Sequence, residues 1–304
     1  MDLSGVINQL VSLFLMMIIG FIAARFGVIT PDFRKKLSSF TLTIAAPGII
    51  LSSALGSTIP ASGMITVIGV SALFYAVMII LARLLSGLMR SKPHERGLDQ
   101  LMLIYTNVGF MGIPVVESVY GSDGVAMVAM FILIFNLTFF SYGVALVAGK
   151  SGFSLRKLCN PCIFAALGSL FFTLTGLRLP APVEGVLSSL GSLNTPLAML
   201  IIGASICHSD LRAAAANMRL YKVSFVRMFI MPLLLLGFVK FLPVSPMLAG
   251  VTVIMAAMPI ASNCAMISDM YTPEDMTASH ACIVSTLISA ATIPLFCALI
   301  SIVL

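Results

Sequence analysis

Charge is scarce in this chain. Only 9% of its 304 residues are Asp, Glu, Lys or Arg, and tryptophan is absent. Soluble domains carry roughly 25% charged residues, so the deficit excludes a water-exposed globular protein. Histidine is nearly missing as well: His94, His208 and His280 are scattered and match no metal-ligand spacing. No metal site and no cofactor is expected. The chain also lacks an HExxH or GxSxG motif and any suggestive Ser–His pair. That leaves no catalytic residue to name, and an intramembrane enzyme is a poor reading. The six cysteines fall mostly inside apolar runs and do not form a disulfide framework. The lone CxxC of "CNPC", from Cys159 to Cys162, is better read as helix-start packing than as redox or metal chemistry.

What the chain does have is apolar length. Hydrophobic residues make up 60% of it, and the mean hydropathy is +1.11. A membrane-spanning helix needs about 20 apolar residues. Ten candidates appear, at roughly 5–25, 37–56, 64–88, 101–120, 124–148, 160–177, 185–206, 220–241, 247–270 and 276–303. The expected fold class is therefore an all-α integral membrane protein whose ten transmembrane helices are joined by short loops. The acidic start "MDLSG" and the length of the first apolar run argue against a cleaved signal peptide.

The net charge of +6 does not point to nucleic acid, because the basic residues are dispersed among loops. They set orientation instead. Arg25, Arg34, Lys35 and Lys36 follow span one, and Arg83, Arg90, Lys92 and Arg96 close span three. Lys150, Arg156 and Lys157 follow span five, while Arg212, Arg219 and Lys222 lie between spans seven and eight. All these loops fall on one side, against Arg178 and Lys240 on the other. The basic side is cytoplasmic by this rule, so a multi-pass protein of the cytoplasmic (inner) membrane with both termini external is expected.

The chain also repeats itself. "LSSFTLTIAAP" at 37–47 resembles "LSSLGSLNTP" at 187–196, with the leucines 150 residues apart and the prolines 149 apart. "SVYGSDG" at 118–124 parallels "DMYTPED" at 269–275 at an offset of 151 between tyrosines. Each half holds five spans, so the second must enter the membrane upside down. The expected domains are a first five-helix repeat at 1–148, a cytoplasmic linker at 149–158 and an inverted five-helix repeat at 159–304. Inverted repeats mark secondary transporters, whose sites lie near the midplane at discontinuous helices.

Two such breaks stand in corresponding places. Span four carries "TNVGFMGIP" at 106–114, with Asn107, Gly109, Gly112 and Pro114. Span nine reads "MAAMPIASNCAMISDMY", with Pro259, Ser262 and Asn263. Proline costs ~3 kcal/mol inside a helix but suits the first turn of a new one. Ser and Asn suit capping positions. Two half-helix N-termini would bring about +0.5 of a charge each to the bilayer centre, and the amides of Asn107 and Asn263 add donors. The two breaks are therefore expected to form an anion site at the bilayer centre, with Thr43 and Asn194 facing it from spans two and seven.

Ionisable residues in apolar spans are functional by default, at ~2.5–3.5 kcal/mol for a charge at mid-membrane. Asp269 and Glu117 are the candidates for coupling to H+ or Na+, against the alternative of solvated helix ends. Arg227 is read either as snorkelling to the surface, as a partner of the substrate anion, or as the mate of Asp269. Gln9 and Asn136 suit interhelical hydrogen bonds.

"NVGFMGIP" followed by "VYG", Asn160–Pro161, the pairing of Arg227 with Pro232, and "STLISAATIP" together resemble the auxin efflux carrier family of bacterial permeases, relatives of the plant PIN carriers. The resemblance implies a five-plus-five inverted repeat, crossed helices four and nine, and transport of organic anions such as malate, malonate or auxin-like acids. By position it assigns Asn107 and Pro114 to one crossover and Pro259 with Asn263 to the other. In place of the plant carriers' Asn-Pro-Asn stands Asn107-Val108-Gly109. The expected partners are a small organic anion, the lipid bilayer, H+ or Na+, and a second copy of the chain as a homodimer. Rival readings are a membrane ligand sensor on the same fold and a sodium-coupled bile-acid-type carrier.

Overall fold

The computed structural model describes residues 3–148, 161–208, 217–272 and 277–304. Asn160, and the linker expected at 149–158 apart from its surroundings, lie outside the described residues. Among the described residues the regular structure is helical, with one isolated antiparallel bridge between Thr106 and Ile260.

Some helices start where a side chain satisfies their first amides. α1 spans Leu3–Arg25 and α2 Pro31–Phe40. At the start of α2 the Thr30 hydroxyl accepts from the Phe33 amide at 3.3 Å, with Pro31 and Asp32 in the first turn. α3 is Ala46–Gly56, α4 Ala61–Leu88, α5 Arg96–Ile104, α6 Ile113–Thr138 and α7 Val144–Ala148. α8 is Pro161–Thr175, α9 Ala181–Ser192 and α10 Asn194–Cys207. α11 is Met218–Phe225, α12 Met231–Val239, α13 Pro246–Ala257, α14 Ser262–Tyr271 and α15 Thr277–Val303.

Among the described residues four short π-helical turns join some of these: Thr41–Ala45, Val108–Gly112, Phe139–Gly143 and Val226–Ile230. Three of them share a cause. Thr43, Phe110 and Met228 lie four residues before Pro47, Pro114 and Pro232 respectively. A proline offers no amide to the carbonyl four residues back and crowds it, so the turn there widens.

Among the described residues six helices are long and apolar enough to cross a membrane. One of these runs from Val108 to Ala148, 41 residues, but Gly121 interrupts it with φ 62° and ψ −150°. Only glycine adopts that backbone readily.

The chain forms two compact units that interleave the sequence halves. The first holds 1–69, 108–133 and 159–208; the second holds 70–107, 134–158 and 209–304. In the first unit α1 packs along α10 and α3 against α8 and α9. Glycines allow this closeness: a Cβ on Gly203 would overlap the Met17 carbonyl oxygen, and one on Gly20 that of Leu200. Leu15, Ile19, Phe164 and Val186 are exposed on the same helices, as expected of side chains that meet lipid. In the second unit α13 and α14 pack on α15, α12 packs on α13, and α5 lies against α7. Tyr75, Tyr105, Phe135 and Phe139 form a buried aromatic cluster there, with Tyr105 and Phe139 edge to face at 4.9 Å.

Candidate functional site: the interrupted helices

In the second unit, α5 ends at Ile104 and Tyr105 turns extended, with φ −97° and ψ 117°. α13 ends at Ala257, and Met258 is extended in the same way, with φ −66° and ψ 146°. These two breaks pair with each other. The Asn107 amide donates to the Pro259 carbonyl at 2.8 Å, and the Ala261 amide donates to the Tyr105 carbonyl at 3.0 Å. The Ile260 amide donates to the Ser285 hydroxyl of α15 at 3.1 Å. Thr106 and Ile260, the bridged residues, are buried. Lipid offers no partner to a freed amide or carbonyl, so an unwound stretch persists only where protein supplies them. Each break is the other's supply.

Around this pairing Asn107 and Pro259 are buried, Asn263 is half-buried and Ser262 is exposed. Ser262 and Asn263 do not cap α14 as their chemistry suggested. The cap is Ala261, which makes no side-chain cap bond. Its backbone is held by Tyr105 and by the Cys282 thiol, which donates to the Ala261 carbonyl at 3.2 Å. Ser262 and Asn263 thus occupy the first turn itself. Asp269 lies on α14, and its side chain is outside the described residues.

Arg227 lies in the π turn Val226–Ile230 and is fully buried. It does not snorkel. Its Nη2 donates to the Met258 carbonyl at 3.0 Å, while Nε and Nη1 have no hydrogen-bond partner. Tyr75 is within its electrostatic reach. Arg219 in the same unit is, by contrast, paired: it donates to Asp99 at 2.8 Å, with Glu95 alongside.

The first unit holds the rest of the expected residues. The turn Val108–Gly112 packs against α10, with Gly109 half-buried and Gly112 buried. Pro114 is buried as the second residue of α6, directly after the π turn Val108–Gly112, whose widening absorbs its missing amide. Half-buried Glu117 accepts a hydrogen bond from the Thr195 hydroxyl at 2.9 Å. Asn194, next to Thr195, is 1% exposed and its Nδ2 has no partner. Thr43 is exposed, and its hydroxyl is spent on the Ser39 carbonyl at 2.7 Å. Sequence reasoning missed Thr195 and Ser285. Both were findable, since Thr195 sits inside "LSSLGSLNTP" and Ser285 opens "STLISAATIP", but nothing in either string says which backbone or side chain it meets. A cavity of about 100 Å³ in this unit, lined by Ser57, Phe172 and Arg178 among others, contains none of the expected residues.

The chain matches the membrane transport protein family over residues 5–154 and 151–297. It belongs to that family. The resemblance to auxin efflux carrier permeases is thereby upheld. An uncharacterized transporter from Methanothermobacter thermautotrophicus (strain Delta H) is 26% identical over 305 residues, covering 96% of this chain and 97% of that protein. Both descriptions point to transport rather than catalysis. Family and apolar helices together make this transport-family chain a multi-pass membrane protein.

Proposed function

We propose that the protein is a secondary transporter that moves small organic anions, in particular carboxylates such as malate, malonate or auxin-like acids, by alternating access. One observation carries the reading: the two interrupted helices meet at their breaks, with Asn107 bonded to Pro259 and Ala261 to Tyr105. Unwound segments at membrane depth are costly, and in transporters they sit at the substrate site. Family membership supports the same class.

In this reading the ten spans form repeats at 1–148 and 159–304, separated by the linker at 149–158. The basic loops put both termini outside a cytoplasmic membrane. The substrate residues fall in two sets. Asn107, Pro259, Ser262 and Asn263 belong to the second unit, and Gly109, Gly112, Pro114, Asn194 and Thr43 to the first. The helical segment that begins at Val108 and the first turn of α14 each start at a positive pole for an anion. Of the second set, Asn194 is the strongest: a buried amide donor without a partner is costly unless a ligand uses it. Thr43 is the weakest, because its hydroxyl is already engaged. Asp269 and Glu117 are the proposed coupling residues, and Glu117 has the clearer setting, half-buried under Thr195.

Purified protein screened by thermal shift against malate, malonate and indole-3-acetate, followed by uptake of the stabilising acid into proteoliposomes, tests this. A saturable stabilisation that the corresponding amide lacks is expected. If no carboxylate stabilises the folded protein or accumulates in the vesicles, the organic-anion reading falls.

A further inference from the structure

The second unit contains a cation that the anion-transport reading does not use. Arg227 is 0% exposed, yet a single hydrogen bond is recorded for its guanidinium, from Nη2 to the Met258 carbonyl. A guanidinium carries five N–H donors, and burying a charge in a dry interior costs several kcal/mol unless opposite charge compensates it. Among the described side chains none of the carboxylates pairs with Arg227; Glu95 and Asp99 are engaged by Arg219.

The compensation comes from the backbone. Met258 is the C-cap of α13, and Tyr105 is the C-cap of α5. The bridge at Thr106 and Ile260 binds those two helix ends together. Each helix C-terminus carries about −0.5 of a charge, so the pair presents about one negative charge to the interior. Arg227 supplies one positive charge at the carbonyl of one member. The sign and the size match.

Half-helix C-termini and unwound carbonyls are where sodium-coupled carriers hold their cation. We propose that Arg227 is a resident cation occupying this carbonyl pole, so that the protein needs no sodium there and has none to couple to transport. The consequence for coupling rests on the transporter reading; the occupancy of the pole does not. Any coupling ion is then a proton at a carboxylate such as Glu117. Removing the guanidinium opens a site for a small monovalent cation, with guanidinium itself the best fit and Na+ a poorer one.

The test uses purified full-length protein in detergent at constant ionic strength, with unfolding temperature as the readout and no substrate present. Replacing choline by Na+ should leave the wild type unchanged. Arg227→Ala should unfold at lower temperature and regain stability with low-millimolar guanidinium, saturably, by several degrees, while the wild type does not respond. Arg227→Lys, which keeps a cation, should remain insensitive to both ions. If Arg227→Ala does not fold, Arg227→Gln takes its place. Three results would overturn the inference: saturable stabilisation of the wild type by Na+; folded Arg227→Ala or Arg227→Gln protein that ignores guanidinium; or an Asp269→Asn protein as unstable as Arg227→Ala, with no further loss in the double variant. The last would make Asp269 the charge partner. Loss of carboxylate uptake alone leaves the resident cation standing, because the guanidinium response requires no transport.

Discussion

The Asn107 amide lies 2.8 Å from the Pro259 carbonyl, so the backbone of one interrupted helix completes the hydrogen bonding of the other. The backbone and the side chain of Asn107 therefore have separable roles. Asn107→Ala keeps the N–H and should fold, yet lose a donor to the substrate carboxylate. A hydrogen bond to a charged group is worth about 1.5–3 kcal/mol, so affinity should drop roughly tenfold to a hundredfold. Asn107→Pro removes the N–H itself and should lower the unfolding temperature whether or not substrate is present. Substrate titration of the alanine protein and thermal unfolding of the proline protein check the two halves. Wild-type affinity in both Asn107→Ala and Asn263→Ala would remove these side chains from the site.

Glu117 accepts from Thr195 across α6 and α10. If it carries the coupling proton, Glu117→Gln should abolish accumulation of substrate against a gradient while leaving binding measurable. The glutamine can still accept from Thr195, so the fold is kept. Uptake into proteoliposomes with and without an imposed pH gradient is the measurement. A variant with unchanged pH-driven accumulation would return the role to Asp269.

Asp123, just past the Gly121 kink of α6, holds the segment that follows α3. It accepts from the Ser57 hydroxyl at 2.8 Å, from the Thr58 amide at 2.7 Å and from the Thr58 hydroxyl at 2.7 Å. Asp123→Ala should cost about 1–3 kcal/mol of stability, read as a lower unfolding temperature. Asp123→Asn should retain part of it, because its amide oxygen can still accept. Equal unfolding temperatures for wild type and Asp123→Ala would show these contacts to be without net value.

Gly203 and Gly20 set the approach of α1 to α10. A Cβ at position 203 would overlap backbone rather than a flexible side-chain tip, so the helices must separate. Gly203→Ala should cost about 1–3 kcal/mol through overpacking, and Gly203→Leu should prevent recovery of monodisperse protein. Gly69, whose Cβ would meet nothing within 4 Å, is the control site, and Gly69→Ala should behave as wild type. Size-exclusion profiles and thermal unfolding of the three variants decide it.

Orientation can be read by chemical labelling. In a background freed of reactive native cysteines, Phe241→Cys should react with an impermeant thiol reagent from outside intact cells. His94→Cys should react only after permeabilisation. Phe241 is 87% exposed and the His94 side chain 76% exposed, so access does not limit either reaction. The reverse pattern would invert the proposed topology.

Much of this molecule was legible in its residues. Apolar length and scarce charge decided that it is helical and membrane-embedded, because lipid leaves a backbone few other ways to satisfy itself. Glycine, asparagine and proline marked spans four and nine as interrupted, since the cost of a missing amide is local, but the unwound residues of span four are Tyr105–Asn107, ahead of Pro114, and the π turns were not foreseen. Other properties depended on neighbours distant in sequence. That Asn107 bonds Pro259, that Ala261 rather than Ser262 caps α14, and that Glu117 meets Thr195 are pairings over long stretches of chain. Arg227 shows the division most clearly. Its sequence position fits snorkelling, ligand binding and ion pairing equally well. Only the packing of α13 beside the turn Val226–Ile230 puts its guanidinium, fully buried, on the Met258 carbonyl. Composition and local propensity fix what each segment is; the destination of a buried charge is set by the low dielectric around it, which exists only once the helices have packed.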